Sequence, residues 1–203
     1  MKVALIGLLF FLLTQGCVTE HTVHVAPAPI PPERAMLSHA QDAILLIRAR
    51  GENQGRLWYQ GRFDAWVLEE EPMVMVMKAI EAELKSMGYA VTREGPKTPP
   101  RLEIELRWFG PYGHSPLTAA VIMAFALYPA ESNEPVWRGK VQAGEYVNQE
   151  MVDPENEAAV IGEIISKALY DALTQLKWKP DFLQAISVVL TRSVQSNQNK
   201  GAE

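Results

Sequence analysis

Two carboxylates, Glu103 and Glu105, have a spacing that could support acid–base chemistry on a glycan. They alternate with Leu102 and Ile104, and a period of two predicts a β-strand with one apolar and one polar face. Carboxylates two residues apart on a strand lie about 7 Å apart, a separation that some glycosidases use. A strand face exposed to water shows the same pattern and is far commoner, so we expect a solvated face at these two residues.

The histidines give no second catalytic candidate. His114 adjoins Ser115, and neighbouring residues rarely direct a nucleophile and its base at one substrate atom. His39 is the other imidazole outside the N-terminal region. The sequence has no Gly-x-Ser-x-Gly motif, no phosphate-binding glycine loop and no Cys-x-x-Cys motif. We therefore predict that the protein is not an enzyme.

A metal site is the most specific interpretation of His21 and His24, which lie close together near the N-terminus. Zinc in proteins takes three or four protein ligands, and two imidazoles on an isolated segment do not complete such a set. We expect neither a metal nor any other cofactor.

Cys17 is the only cysteine among the 203 residues. It follows Lys2, a short apolar stretch at 3–13 and Gly16, which are the parts of a secretory signal. The site resembles the lipobox of bacterial lipoproteins, although Thr14 stands where leucine is usual. The resemblance implies removal of residues 1–16 and attachment of about three acyl chains, palmitate among them, which hold far more firmly than one. The alternative is an ordinary signal peptide with an unrelated cysteine, which would leave a thiol without a disulfide partner.

Residues 17–35 are expected to tether a folded domain to the lipid on Cys17. Four prolines between residues 27 and 32 favour extended polyproline geometry, which makes a semi-rigid spacer. Val18 follows the cysteine, and the bacterial sorting rule favours the outer membrane when this residue is not aspartate. The expected location is therefore the outer membrane, with the domain in the periplasm.

The charge of the chain argues against one class of partner. The formal net charge is −5, and it becomes −6 when Lys2 leaves with the signal. A mildly acidic domain lacks the basic surface that nucleic acid requires, so we expect no nucleic-acid partner.

Helices and strands alternate between residues 36 and 192, which we interpret as a single domain. One helix is expected after Pro72, ending at Gly88, and a second after Pro154, ending before Pro180. Strands are expected at 43–50, 89–92, 102–108, 117–128 and 136–147, with a Gly-rich loop at 51–61.

These elements predict an α+β fold of the two-layer sandwich type. The sheet is expected to be mainly antiparallel, with four to five strands and with two long helices packed on one face. A short helix should run from Asp181 to about Leu190. The polar residues 193–203 are expected to form a flexible tail.

The chain resembles the YajG-like family of uncharacterised bacterial lipoproteins. The resemblance rests on Cys17, on the helix end at 84–89 (LKSMGY), on the alternating strand from Leu102 and on the Trp-Arg-Gly at 137–139. Auxiliary lipoproteins of ABC-type lipid transporters share this layout. The resemblance implies location and fold, and it supplies no catalytic residues.

Aromatic residues supply the remaining functional candidates. Loops carrying Trp58, Tyr59, Phe109 and Tyr112 are expected to contact a partner, since exposed aromatics are favoured anchors of protein interfaces. The leading hypothesis is a non-enzymatic, membrane-tethered adaptor that binds another envelope protein or cell-wall material.

Two further hypotheses come from other functional classes. An auxiliary subunit of an envelope lipid transport system would need an apolar groove beside the methionine-rich helix 73–87. An envelope hydrolase, the least favoured hypothesis, would need a pocket of convergent ionisable groups.

Overall fold

The computed structural model describes residues 19–26, 43–51, 57–60, 64–95, 98–114, 117–148 and 152–200. Cys17 and the proline-rich residues 27–32 lie outside the described residues. The strands are β1 (Thr19–Val23), β2 (Ile44–Arg50), β3 (Leu57–Gln60), β4 (Asp64–Leu68), β5 (Ala90–Thr92), β6 (Arg101–His114), β7 (Leu117–Tyr128) and β8 (Trp137–Val147). The helices are α1 (Pro72–Ser86), α2 (Glu157–Lys177) and α3 (Pro180–Lys200), with a short 3-10 turn, Pro154–Asn156, before α2.

The main sheet has five strands in the order β5-β2-β6-β7-β8. The α+β class is confirmed, but the sheet is mixed. β6, β7 and β8 pair antiparallel, whereas β2 pairs parallel with both β5 and β6. The expected antiparallel pairing holds for β6, β7 and β8 and fails for β2, because the chain crosses over through α1 between β2 and β5. Leu45, Leu46 and Ile47 of β2 are all fully buried.

A second sheet of three strands, in the order β1-β4-β3, was not predicted. β3 occupies part of the stretch 51–61 that we expected to be a loop. β1 lies within the expected tether, and it pairs in parallel with β4 from Thr19 opposite Asp64 to Val23 opposite Leu68. The tether prediction is therefore wrong for residues 19–26, which belong to the folded domain. These strands are four or five residues long, too short for a clear period of two.

Three helices pack on one face of the main sheet. Their apolar residues form one core with alternate residues of the strands, among them Ile104, Val121 and Val141. The C-terminal helix α3 has 21 residues and is longer than predicted. It continues into the expected tail, and Val194 packs against the core one turn after Leu190. None of the helices among the described residues is long and apolar enough to cross a bilayer.

Candidate interaction surface

The side of the main sheet that faces away from the core is called the outer face. It carries the residues of β6, β7 and β8 that alternate with the core positions. They fall into an apolar, aromatic end beside the β6–β7 turn and a charged end at the opposite end of the strands. The aromatic end comprises Trp108, Tyr112, Ile122 and Tyr146.

A β-bulge in β6 decides which aromatic residues reach the surface. Leu106 is paired with Met123 and Trp108 with Ile122, so Arg107 is an extra residue in β6. A bulge of one residue exchanges the two faces of a strand beyond it. Trp108 therefore lies on the outer face, and Phe109 is fully buried in the core.

Phe109 is consequently removed from the predicted contact residues, because a fully buried ring cannot form part of a surface. Trp108 takes its place. The Trp108 indole N–H donates a hydrogen bond of 3.2 Å to the carbonyl oxygen of Gly110. Its ring meets Tyr112 edge-on, with centroids 6.2 Å apart and planes at 90°.

Tyr112 and Tyr146 are the most exposed aromatic residues of this end, at 74% and 73% of their maximum surface. Tyr146 was not among the predicted contact residues. It lies in β8 opposite Thr118, and β7 brings it to the same end of the sheet as Trp108 and Tyr112. The alternation of Val141, Ala143 and Glu145 with polar residues was the available signal, because it places Tyr146 out of phase with the buried positions.

Trp58 and Tyr59 lie in β3, in the smaller sheet, where their main chains pair with Trp66 and Ala65. The topology therefore places the four predicted contact residues on two different sheets. Only Tyr112 among them is shown at an exposed position by the described side chains.

The charged end of the outer face consists of two rows that run across four strands. One row is Arg48, Glu103, Ala126 and Arg138, and the other is Arg50, Glu105, Ala124 and Lys140. An alanine of β7 lies at the third place in each row. The rows form the floor and walls of a shallow depression of about 460 Å³.

Both carboxylates of the charged end are paired with arginine. Glu103 accepts a hydrogen bond of 3.2 Å from Nε of Arg101 and lies 3.9 Å from Nη1 of Arg50. Glu105 accepts one of 3.2 Å from Nε of Arg107. Each carboxylate is thus bonded to a guanidinium, an arrangement suited to a polar surface.

Cations on β8 lack such partners. Arg138 and Lys140 are exposed, and neither makes an ion pair with any residue that the structure describes. Alanine separates them from Glu103 and Glu105, and strands two apart in a sheet are about 10 Å distant. The β8 side of the depression is therefore positively charged.

A larger groove of about 780 Å³ lies between α3 and the β7–β8 connection. The exposed aliphatic side chains Ile44, Val136 and Val188 line it, and Asp181 and Arg192 supply charges. The Trp137 indole N–H donates a hydrogen bond of 2.8 Å to Oδ2 of Asp181, which holds this end of β8 to the first turn of α3.

No comparable groove accompanies the methionine-rich helix in the described structure. Met73, Met75 and Met77 are buried in the core. The gap between α1 and α2, beside Leu84 and Leu173, has no room for a water molecule. The expected position of a lipid groove is therefore wrong, because methionine fills the space between helix and sheet.

Three charged groups meet where α2 packs on β8. Lys167 donates a hydrogen bond of 2.6 Å to Oε2 of Glu145. Burial raises the pKa of Asp171, and a hydrogen bond with the Glu145 carboxyl raises this pKa further. The described residues form no enclosed pocket around these three groups.

His24 takes part in an ordinary surface contact. Nδ1 of His24 lies 2.9 Å from Oε2 of Glu69. No three metal-ligating side chains come together within the parts of the chain that the structure describes. His39 and Ser115 lie outside those parts.

Comparison with known proteins supports the fold and goes no further. No family model matches the chain, and no curated protein does. The crystal structure of protein XCC0632 from Xanthomonas campestris, of family DUF330, has 16% identity and a TM-score of 0.51, covering 89% of this chain and 99% of that one.

Two weaker matches are lipoproteins by description. A putative lipoprotein from Caulobacter crescentus has 11% identity and a TM-score of 0.43, covering 68% of this chain and 87% of that one. A minor lipoprotein from Acinetobacter baumannii has 8% identity and a TM-score of 0.45, covering 66% and 86%. The likeness to XCC0632 shows a shared fold, and membership of the YajG-like family stays a prediction.

Proposed function

We propose that this protein is a lipid-anchored adaptor of the bacterial envelope, which holds another envelope protein against the outer face of its main sheet. The anchor is the lipid on Cys17, and the location inferred from Val18 is the periplasmic side of the outer membrane. The observation that carries the proposal is the aromatic end, where Trp108, Tyr112 and Tyr146 are exposed together.

Aromatic exposure at this place has an energetic cost that a partner would offset. Contiguous apolar surface on a protein is uncommon, and where it occurs it marks interaction sites. Tyrosine and tryptophan are enriched at the centres of interfaces because each buries a large ring and keeps one polar group for hydrogen bonding. The flanking polar side chains of Arg107 and Gln142 supply the polar rim that such interfaces have.

A short length of chain separates Cys17 from the first strand of the domain. β1 begins at Thr19, two residues after Cys17. Two extended residues span about 7 Å, so a lipid on Cys17 would hold β1 and its sheet at the bilayer surface. The proline-rich residues 27–32 follow β1 along the chain and would not act as a spacer between lipid and domain. An adaptor built in this way recruits its partner close to the membrane.

Paired variants test both parts of the proposal. Cys17→Ser should move the protein from the membrane fraction to the soluble periplasmic fraction. In the anchored protein, Tyr112→Ser with Tyr146→Ser should remove a defined co-purifying envelope protein. The matched control is Trp178→Ser, at another exposed aromatic residue, directly after α2. Equal recovery of that partner with both variants would rule out the aromatic end as the binding surface.

A second candidate function, an auxiliary subunit of a lipid transport system, is favoured by the groove beside α3. Its volume of about 780 Å³ falls within the range of small-molecule sites. Ile44, Val136 and Val188 could contact an acyl chain while Arg192 meets an anionic headgroup.

A fluorescent fatty acid tests this second function directly. It should bind the purified protein and should be displaced by phospholipid. Val188→Asp should abolish the binding, whereas Val74→Asp, at an exposed valine of α1, should leave it unchanged. Equal binding by both variants would exclude the groove as a lipid site.

A further inference from the structure

One side-chain amide forms hydrogen bonds with the outer edge of β8. β8 is the last strand of the main sheet. In its middle, the carbonyl oxygen of Gln142 accepts a hydrogen bond of 2.9 Å from Nε2 of Gln175, and its N–H donates one of 3.4 Å to Oε1 of Gln175. One carboxamide therefore makes the two bonds that one residue of an added antiparallel strand would make.

This contact shows that the edge is open to hydrogen bonding at Gln142. Gln175 is an exposed residue on α2, so its side chain can move into water without uncovering the core. A strand of 11 residues offers far more main-chain donors and acceptors than one carboxamide occupies. Long exposed edges of this kind are the sites at which extended peptides add to sheets.

Charge on β8 specifies the chemistry of such a peptide. On the outer face an added strand would lie beside Arg138 and Lys140, for which the structure describes no carboxylate partner. Opposite charges on neighbouring strands stabilise a sheet, and like charges destabilise it. Tyr146, further along the same strand, joins this edge to the aromatic end.

We propose that the edge of β8 accepts an extended, acidic segment of a protein partner, which displaces the carboxamide of Gln175. This inference rests on the proposed function, because it supposes that the partner is a protein. It adds the mode of binding: the partner supplies a strand with carboxylates at alternate positions, and aromatic contacts follow at Tyr146. Without the partner, the carboxamide of Gln175 occupies the edge and hinders its pairing with unrelated strands.

Short peptides test the edge with the mature lipoprotein in detergent. The probe is a fluorescent nine-residue peptide of alternating glutamate and threonine, measured by anisotropy. Two controls separate charge from strand addition: a lysine–threonine peptide, and a glutamate–threonine peptide N-methylated at its glutamates, which keeps the charge but lacks the main-chain donors that would face β8. Because the protein is itself acidic, unspecific attraction would favour the lysine peptide.

The expected result is binding of the glutamate–threonine peptide alone. Gln175→Ala should tighten this binding several-fold, because a competitor is removed. Arg138→Glu with Lys140→Glu should weaken it at least tenfold, whereas Arg192→Glu, at an exposed arginine of α3, should leave it unchanged. Equal binding of the N-methylated peptide, or no gain with Gln175→Ala, would overturn the inference. Neither result affects the test at Tyr112 and Tyr146, so the two proposals fail separately.

Discussion

Gly162 of α2 lies directly against the main chain of His24, so that a Cβ atom at residue 162 would overlap the His24 carbonyl oxygen. The contact joins the segment after β1 to α2, the helix that packs on β7 and β8. It requires a residue without a side chain on the helix at this point. The residues that follow Cys17 are therefore seated in the domain by a close main-chain approach.

The direction in which Gly162→Ala changes the free energy of unfolding tests the contact with His24. In a helix without this contact, alanine in place of glycine stabilises by about 1 kcal/mol. Here the overlap with His24 should instead lower the free energy of unfolding by about 1–3 kcal/mol, the usual cost of overpacking. Urea unfolding measures the change, and Glu163→Ala, on the exposed side of the same turn, is the control. A Gly162→Ala protein that is more stable than the wild type would show that His24 does not lie there.

Asp171 should make the protein less stable as the pH rises. Burial and the Glu145 carboxyl raise the pKa of Asp171 above its ordinary value of 3.8. The folded protein therefore holds a proton that the unfolded chain has lost, and stability falls between 3.8 and the raised pKa. Asp171→Asn should remove this fall.

The measurement is urea unfolding of wild type and Asp171→Asn at pH 3 and pH 7. The variant should gain stability relative to the wild type at pH 7 and match it more closely at pH 3. Asp153→Asn, before α2, controls for loss of a negative charge. An Asp171→Asn protein that is less stable than the wild type at pH 7, but not at pH 3, would contradict the raised pKa of Asp171.

Trp137 should control the titration of Asp181. Its hydrogen bond lowers the pKa of Asp181 below the ordinary value of 3.8. This contribution to stability is present above pH 3.8 and is lost as the pH falls through the lowered pKa. In Trp137→Phe the pKa of Asp181 should rise towards 3.8, as followed by NMR titration of its side chain. An unchanged pKa would mean that the bond does not form in solution.

Tyr89 carries a hydroxyl group at a cost to stability. The ring is buried, and its oxygen has no hydrogen-bond partner among the described residues. Tyr89→Phe should therefore leave the stability unchanged or raise it by about 1 kcal/mol, because a buried polar group without a partner is unfavourable. Burial also raises the pKa of Tyr89 to about 12, so the wild type should lose stability between pH 10 and 12 and the variant should lose less. A loss of 2 kcal/mol at pH 7 in the variant would contradict this account.

Periodicity in the sequence predicts most of the core elements. The strand at Leu117–Tyr128 has the predicted bounds, and the helices after Pro72 and Pro154 begin close to the expected positions. Pattern could not predict the parallel pairing of β2, because pairing depends on the route of the chain and not on the strand itself. Nor could it find β1, whose five residues pair with β4 and contact α2.

The interaction surface was only partly predictable. Tyr112 was identified from its residue type and its place near a turn. Extending the period of two along β6 puts Phe109 outside and Trp108 inside, and the extra residue at Arg107 reverses both. A bulge has no reliable signature in one sequence, and the contribution of Tyr146 depends on the pairing of β8 with β7.

Site-specific photocrosslinking in intact cells tests whether the outer face holds an envelope protein. A photoreactive amino acid replaces Tyr112 or Tyr146 on the outer face, or the exposed Trp178 as the reference position. We expect positions 112 and 146 to give one and the same adduct with an envelope protein, and position 178 not to give it. Adducts of the same protein from all three positions, or from none of them while the protein is membrane-bound, would contradict it.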